Sequence, residues 1–286
     1  MYQVLDGKLV SQSVKDRVRV RAAAHNAKGE EITLAVIIVG DDPASRVYVN
    51  NKKKACEYVG FRSLEYALPA STTQEELIEL IHELNERRDV HGILCQLPVP
   101  KHIDDKAVIA AIDPKKDVDA FSEINVGKIL IGKYDLLPCT PAGVMELLDY
   151  YDIKVEGRNC VVIGRSNIVG KPMAVLLMHA NGTVTVTHKK TRHLREVTNK
   201  ADILVSSVGR AKFVTADMVK EGAVVVDVGM NRDENGKLCG DVVFDEVAPK
   251  CSYITPVPGG VGPMTIAMLM QNTLKAFEIQ QSDYEG

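Results

Sequence analysis

The sequence predicts an α/β protein with parallel-type sheets, because strand-like and helix-like segments alternate along it. Short runs rich in Val and Ile end at Gly, Pro or a polar turn, and their lack of alternation indicates strands buried on both faces. Segments with helical spacing, such as Gln74–Glu86 and Pro172–His179, lie between these runs. The predicted strands lie near residues 34–39, 63–67, 92–97, 161–163, 183–187, 203–208, 224–228 and 253–255.

Two domains are predicted, because Pro-Cys-Thr-Pro at residues 138–141 separates two blocks of these elements. A chain of 286 residues is long enough for two domains of ordinary size. We expect the first domain to span residues 1–138 and the second residues 139–267. The last helix, 268–286, is expected to complete the first domain, with a substrate cleft between the two.

Composition and charge favour a small ligand over a macromolecular one. The net charge of -3 argues against a nucleic-acid surface, which needs a basic stripe. None of the six cysteines forms a C-x-x-C pair, so no metal site is predicted. The N-terminal segment lacks a secretory leader, and no apolar run approaches the length of a membrane span. Free thiols in a reducing cytoplasm are the prediction.

A glycine-containing turn follows the predicted strand at 161–163. Small residues at Gly164 and Ser166 would let the backbone approach a diphosphate, and the N-terminus of the next helix offers free N–H groups to the anion. The pattern departs from G-x-G-x-x-G, because Ser166 replaces the second glycine and Gly170 comes one residue late. The alternative is a plain strand-to-helix turn.

The next predicted strand ends in a basic segment, where an NAD-binding unit usually carries an acidic residue for the ribose hydroxyls. Lys189 stands there, and Lys189 and Arg165 would attract a ribose phosphate that a carboxylate would repel. A solvated basic loop is the alternative. We therefore predict a Rossmann-like second domain that binds NADP in preference to NAD.

Residues 42–60 carry strong helix-boundary signals: Asp42 as a cap, Pro43 in the first turn and Gly60 at the end. Within this helix Lys52 falls on a stripe of residues expected to face inward, at positions 45, 48, 52, 55 and 59. One interpretation is that Lys52 reaches solvent from an ordinary amphipathic helix. The other is a partly buried amine whose pKa is lowered enough to serve as a general base.

Three further features indicate a ligand site. Gln96 lies near the carboxyl end of a predicted strand, where open α/β sheets bind ligands. Asp119 lies between apolar neighbours and either makes a cap or ion pair or holds a ring edge through two hydrogen bonds. Three prolines and three glycines at 256–263 fix a rigid turn that opens into a helix, either for packing or for a ligand.

Together these segments resemble the bifunctional methylenetetrahydrofolate dehydrogenase/methenyltetrahydrofolate cyclohydrolase family. The matching pieces occur in the family's order and span nearly the whole chain. They are VGDDPASRVYVNNKKKACEYVG, GILCQLPVP, PKKDVDAF, PCTPAGV, VVIGRSNIVGKPM, DVGMNR and PVPGGVGPMT. The resemblance implies NADP-dependent oxidation of 5,10-methylenetetrahydrofolate to the methenyl form, then hydrolysis to 10-formyltetrahydrofolate. It also implies a homodimer.

The resemblance further implies roles for four residues of the first domain. Lys52 would be the catalytic lysine of the cyclohydrolase step, with Gln96 hydrogen-bonded to it. Tyr48 would pack against the aminobenzoyl part of folate, and Asp119 would hold the pterin ring. All four are therefore expected at the catalytic site, and Tyr48, Gln96 and Asp119 at the substrate.

For the second domain, the resemblance implies contacts to the cofactor and to one border of the folate site. Gly262 and Pro263 belong to the loop bordering folate. The implied cofactor-binding residues are Gly164, Arg165, Ser166, Lys189 and Met230.

Two residues depart from the family pattern. Ala120 stands where the family usually has glycine, and Cys95 replaces a common valine. Two other functions stay open from the residues themselves. One is a shikimate-type dehydrogenase that uses Lys52 and Asp119 on a different substrate. The other is a non-enzymatic dinucleotide sensor.

Overall fold

The structure is a computed structural model that describes residues 2–285 and, within them, every side chain except those of residues 44 and 283–285. The strands are β1 (Gln3–Val4), β2 (Thr33–Val39), β3 (Arg62–Leu68), β4 (Gly92–Cys95), β5 (Asn159–Ile163), β6 (Thr183–Thr187), β7 (Ile203–Ser206), β8 (Val224–Asp227), β9 (Asn231–Arg232), β10 (Leu238–Cys239) and β11 (Tyr253–Ile254). The helices are α1 (Gly7–Asn26), α2 (Pro43–Val59), α3 (Gln74–Glu86), α4 (Asp105–Ala111), α5 (Glu123–Leu130), α6 (Cys139–Tyr150), α7 (Gly170–His179), α8 (Leu194–Thr198), α9 (Phe244–Val247) and α10 (Val261–Glu285), with 3-10 turns at Ala216–Met218 and Ala248–Lys250. The predicted α/β class is confirmed.

The chain divides into two compact units. The six-stranded unit comprises Met1–Ser11 and Thr140–Thr265, and the three-stranded unit comprises Gln12–Cys139 and Ile266–Gly286. None of the helices within residues 2–285 has the combined length and apolar character that crossing a membrane requires.

The three-stranded unit contains a parallel sheet in the order β3-β2-β4. All seven residues of the central strand β2 are buried, as expected for a strand with a neighbour on each edge and both faces covered. Helix α3 packs on this sheet through Leu77, Ile81 and Leu84, which share a cluster with apolar residues of β2 and β4. A capping box formed by Thr73 and Glu76 fixes the start of α3.

The other end of α3 is held by a buried lysine. The Nζ atom of Lys116 donates hydrogen bonds to the backbone carbonyls of Leu84 at 3.1 Å, Asn85 at 2.6 Å and Arg87 at 2.7 Å. These carbonyls lack partners within the helix, and a cation there also interacts favourably with the helix dipole. The buried Lys116 amine therefore stabilises the C-terminal end of α3, whereas its neighbour Lys115 is exposed.

The six-stranded unit contains a sheet in the order β1-β11-β8-β7-β5-β6, with every pair parallel. From β5 the chain passes to β6 on one side, and then crosses back to β7 on the other. In open α/β sheets, ligands bind outside the carboxyl ends of the strands at such a reversal. The crevice between the ends of β5 and β7 is therefore the expected ligand position in this unit.

The grouping of the first residues differs from the prediction, which had placed residues 1–138 together. Strand β1 pairs with β11 in the six-stranded sheet through Gln3–Tyr253 and Val4–Ile254. Two exposed residues carry no periodic signal, and their partner lies about 250 residues away, so no local pattern predicts this pairing. Residues 1–11 accordingly belong with the second block of the sequence.

Candidate active site

Helix α2 begins and ends where the sequence predicts. The Asp42 carboxylate accepts a hydrogen bond from the Ser45 backbone N–H at 2.8 Å, and Gly60 ends the helix in the left-handed conformation at φ +83°. Because these caps fix the helix register, they fix which face Lys52 occupies. That face is buried at Ser45, Lys52, Ala55 and Val59 and half-buried at Tyr48, whereas Lys53 and Lys54 are exposed.

The Lys52 amine is inside the protein, with the residue only 9% exposed. Its Nζ atom donates to Gln96 Oε1 at 2.7 Å, and the Gln96 Nε2 atom donates to the backbone carbonyl of Leu97 at 2.7 Å. The second bond orients the amide so that its oxygen faces the lysine. Burial lowers the pKa of Lys52, while the nearby Asp119 charge opposes that shift.

Asp119 lies beside Lys52 and is partly buried. Burial raises the pKa of this carboxyl to about 6, with the Lys52 charge acting in the opposite direction. Burial also raises the pKa of the Cys95 thiol to about 12, so this thiol adds no charge to the site at neutral pH. An amine and a carboxyl of perturbed pKa thus lie close enough to affect each other, an arrangement common at catalytic sites.

Cys139 is a site residue that the sequence analysis did not single out. Its thiol makes a side-chain hydrogen bond with Asp119 and contacts the Val118 carbonyl at 3.4 Å, and the Asn272 Nδ2 atom lies 3.6 Å from its sulfur. Asn272 also donates to the Val118 carbonyl at 2.8 Å. The only sequence signal was the conspicuous Pro-Cys-Thr-Pro segment, which we had interpreted as a domain boundary.

The backbone conformation at Ala120, the residue after Asp119, is one that favours the glycine usual in the family. Ala120 has φ +55°, a left-handed conformation that costs an L-residue about 1–2 kcal/mol and glycine almost nothing. We expect Ala120→Gly to raise the free energy of unfolding by about 0.5–1 kcal/mol, because relief of strain outweighs the added freedom of the unfolded chain. Urea unfolding followed by circular dichroism measures this change.

The matched control is Ala24→Gly at an exposed position inside α1, where glycine is expected to cost about 1 kcal/mol. A loss of stability in Ala120→Gly, like that in the control, would show that the backbone at Ala120 is not strained.

In the six-stranded unit, the predicted glycine turn follows β5 and leads into α7. Gly164 has φ +123°, and a Cβ there would lie 2.5 Å from the Ser207 carbonyl oxygen. A Cβ on Gly170 would lie 2.4 Å from the Gly164 carbonyl oxygen. The Ser166 hydroxyl accepts hydrogen bonds from the Val169 and Gly170 N–H groups at 3.2 Å each. Both glycines are therefore required by close backbone packing.

The remaining predicted cofactor and loop residues also lie in the six-stranded unit. Arg165 and Lys189 are exposed, and they follow the carboxyl ends of the neighbouring strands β5 and β6. Met230 follows β8, and its sulfur lies 3.4 Å from the position of a Cβ on Gly262. Pro263 is half-buried in the first turn of α10. The structure thus brings Met230 and Gly262 together.

No group of three or more metal-binding side chains occurs among residues 2–285, and all six cysteines are free. The three-stranded unit thus holds an amine, an amide and a carboxyl close together. The six-stranded unit, taken by itself, holds a strand-turn-helix segment with exposed basic residues beside it.

Comparison with known proteins identifies both units. The sequence model of the tetrahydrofolate dehydrogenase/cyclohydrolase catalytic domain matches residues 5–119, and that of the NAD(P)-binding domain of the same family matches residues 138–281. The bifunctional protein FolD of Lachnoclostridium phytofermentans is 59% identical over 282 residues, covering 98% of this chain and 100% of its own length.

Two solved structures of this family are similar to the chain over nearly its whole length. A crystal structure of the bifunctional FolD methylenetetrahydrofolate dehydrogenase/cyclohydrolase from Campylobacter jejuni is 51% identical, covers 98% of this chain and 99% of its own, and has a TM-score of 0.96. The Trypanosoma brucei enzyme complexed with NADP cofactor and inhibitor is 38% identical, covers 97% and 98%, and has a TM-score of 0.93. The chain therefore belongs to the tetrahydrofolate dehydrogenase/cyclohydrolase family, as a bifunctional enzyme of folate metabolism with an NAD(P)-binding domain.

Proposed function

We propose that this chain oxidises 5,10-methylenetetrahydrofolate with NADP and hydrolyses the methenyl product to 10-formyltetrahydrofolate, with Lys52 as the base of the second step. The observation that carries the proposal is the buried Lys52 amine, which donates to Gln96 at 2.7 Å beside the Asp119 carboxyl. An amine in this position has no structural necessity, because an apolar residue would pack on the same helix face.

The proposed hydrolysis follows from the protonation state of the lysine. The methenyl bridge is an amidinium cation, and water adds to its carbon. A neutral Lys52 amine accepts a proton from the water as the new C–O bond forms. The ring C–N bond then breaks, Lys52 returns its proton to the departing nitrogen, and the hydroxyl proton leaves to solvent, which gives the formyl product. Gln96 holds Nζ in place during these transfers.

The carboxyl and the aromatic ring of this unit are assigned to substrate binding. Asp119, ionised above a pKa of about 6, accepts hydrogen bonds from the amidine-like edge of the pterin. Tyr48, half-buried one helical turn before Lys52, offers its ring to the aminobenzoyl group. Gly262 and Pro263 are assigned to the loop that borders the folate.

The six-stranded unit fits a dinucleotide. Gly164 and Gly170 bring no side chain to the two ends of the turn, and α7 begins at Gly170. Arg165 and Lys189 provide exposed positive charge for a 2′-phosphate, which favours NADP over NAD. When bound, NADP would accept the hydride from the methylene carbon. Met230 is assigned to the nicotinamide side of the cofactor.

One assay tests the proposal directly. Methylenetetrahydrofolate is mixed with the protein and NADP or NAD, and the absorbances of the reduced cofactor and of the methenyl species are followed together. We expect the methenyl species to build up and decay, with kcat/KM for NADP at least about tenfold above that for NAD, a difference of about 1.4 kcal/mol. Lys189→Ala is expected to reduce that preference.

Two outcomes contradict the proposal. If methylenetetrahydrofolate gives no NADP-dependent change in absorbance, the result favours the dinucleotide sensor. Turnover of NADP with a hydroxylated ring carboxylate in place of folate favours the shikimate-type alternative.

The chain is further proposed to form a homodimer through the edge of the six-stranded sheet. Strand β6 lies at the end of the sheet, and its five residues, TVTVT, contain no charge or proline that would protect an edge. Val186 is 39% exposed there. We expect light scattering to give about twice the chain mass of 31.3 kDa, and Val186→Lys to lower the measured mass towards one chain.

Val20→Lys is the control, because Val20 is 71% exposed on α1 in a different part of the chain. A monomeric wild type, or a dimer that Val186→Lys leaves intact, would remove β6 from the interface.

Cytoplasmic location is also proposed, supported by six cysteines that are all free and mostly buried. Cell fractionation tests this location, and recovery of the protein outside the cytoplasmic fraction contradicts it.

A further inference from the structure

A buried carboxylate lies behind one wall of the crevice in the six-stranded unit. Strand β7 ends at Ser206 and pairs with β5, so the segment Ser206–Arg210 borders the expected crevice on the side of β7, as the Gly164 turn does on the side of β5. The Ser207 N–H donates to the Ile163 carbonyl at 2.8 Å, and Ser207 closes directly over Gly164. The position of this wall therefore sets the width of the crevice.

Asp241 holds this wall through three hydrogen bonds and accepts a fourth from Asn231. Its Oδ2 atom accepts from the Ser206 hydroxyl at 3.0 Å and from the Val208 N–H at 2.8 Å. Its Oδ1 atom accepts from the Arg210 N–H at 2.9 Å and from Asn231 Nδ2 at 2.9 Å. Asp241 is completely buried, and all four donors are uncharged groups. One carboxylate thus joins the segment after β7 to the segment after β8.

A second buried carboxylate fixes Asp241 itself. Asp227, at the end of β8, accepts from the backbone N–H groups of Asp241 at 3.0 Å and Val242 at 2.9 Å, and from that of Gly229 at 2.9 Å. The glycines next to this pair leave no room for a side chain. A Cβ on Gly240 would lie 1.9 Å from Asp227 Oδ2, and one on Gly229 would lie 2.3 Å from Asp241 Oδ1.

The arrangement is costly unless it serves the site. Two buried carboxylates in close proximity repel each other and lose hydration, and these costs are offset only because their oxygens accept hydrogen bonds from backbone N–H groups and side chains around them. What the pair provides is a fixed geometry for the Ser206–Arg210 wall and for Met230, which directly precedes Asn231. Rigid support of this kind is what keeps a binding site in its productive geometry.

We propose that Asp241, held by Asp227, is a positioning residue for the dehydrogenase reaction: it sets the Ser206–Arg210 wall against the Gly164 turn and so shapes the NADP crevice. The inference rests on the proposed use of this crevice for NADP. Because Lys52 lies in the other unit, Asp241 is expected to act on the oxidation step and not on the hydrolysis step.

The test uses Asp241→Asn in the full chain. An amide offers one acceptor and one donor where four donors now converge, so at least one N–H of the wall loses its partner. We expect the KM and Kd for NADP to rise on the order of tenfold and the kcat of oxidation to fall several-fold. Hydrolysis of added methenyltetrahydrofolate, measured without NADP, is expected to stay within about twofold of wild type.

Asp202→Asn is the matched control. Asp202 accepts from the Asn159 N–H at 2.9 Å and from Lys220 at 2.6 Å, at the opposite, amino-terminal edge of the same sheet. This variant is expected to lower the melting temperature without changing the KM for NADP. Ser206→Ala removes a single donor to Asp241 and should move the NADP parameters in the same direction as Asp241→Asn, by a smaller factor.

The possible results distinguish failure of the positioning role from failure of the proposed function. Unchanged NADP parameters in both Asp241→Asn and Ser206→Ala overturn the positioning role, as does an equal loss of oxidation and hydrolysis, which would indicate general unfolding. If Asp241→Asn does not fold, the result with Ser206→Ala decides between support and rejection. A wild-type protein that does not oxidise methylenetetrahydrofolate at all contradicts the proposed function instead.

Discussion

Lys52→Met is expected to reduce methenyltetrahydrofolate hydrolysis by about 10²–10⁴-fold, the usual contribution of a positioned general base. Methionine keeps most of the length of the buried chain but has no atom that accepts a proton from water. The Kd for NADP, measured by calorimetry, should remain within about twofold of wild type, since Lys52 belongs to a different unit from the cofactor turn. A normal rate of hydrolysis in this variant would remove Lys52 from the mechanism.

The adjacent lysine provides the control. Lys53 is exposed, so Lys53→Met makes the same substitution on the same helix without touching the buried amine, and both activities are expected to persist. The pH profile gives a second readout. Hydrolysis should rise as pH increases through about 6, where Asp119 ionises, and continue to rise as the buried Lys52 amine loses its proton. Asp119→Asn should remove the lower of these two inflections.

Lys116→Met is expected to lower the free energy of unfolding by about 3 kcal/mol, because it removes three hydrogen bonds at the end of α3 and leaves only the Arg87 carbonyl with another donor, the Val90 N–H. The effect on stability should exceed that of Lys52→Met, although both lysines are buried. Urea unfolding with circular dichroism measures the change.

Lys54→Met, at an exposed position on α2, is the matched control and should change stability by less than about 0.5 kcal/mol. Equal stability of the Lys116 and Lys54 variants would show that the Leu84 and Asn85 carbonyls find water or another donor when the amine is removed.

Lys52 shows where prediction from sequence succeeds. The position of Lys52 was predictable because caps at Asp42 and Gly60 fix the ends of one helix, and a helix of known register has known faces. Helical spacing alone predicted α3 with its observed bounds. Buried parallel strands were equally recognisable from their apolar runs.

Lys116 and Cys139 show where local reasoning ends. Lys115 and Lys116 are indistinguishable in sequence, and only the return of the chain beneath α3 places one inside and the other outside. The contact of Cys139 with Asp119 joins residues twenty positions apart through the packing of α6. The hydrogen bonds of Asp241 to Ser206 and Val208 likewise depend on long-range pairing, which periodicity does not encode.

The division of the chain has a consequence for synthesis on the ribosome. The three-stranded unit begins at Gln12 but needs Ile266–Gly286, so the part whose assembly starts early is completed last. The six-stranded unit must retain residues 1–11 until β11 emerges to pair with β1. Neither unit can therefore complete its folding before the C-terminal residues have been synthesised. We expect the chain not to fold one domain at a time from its N-terminus.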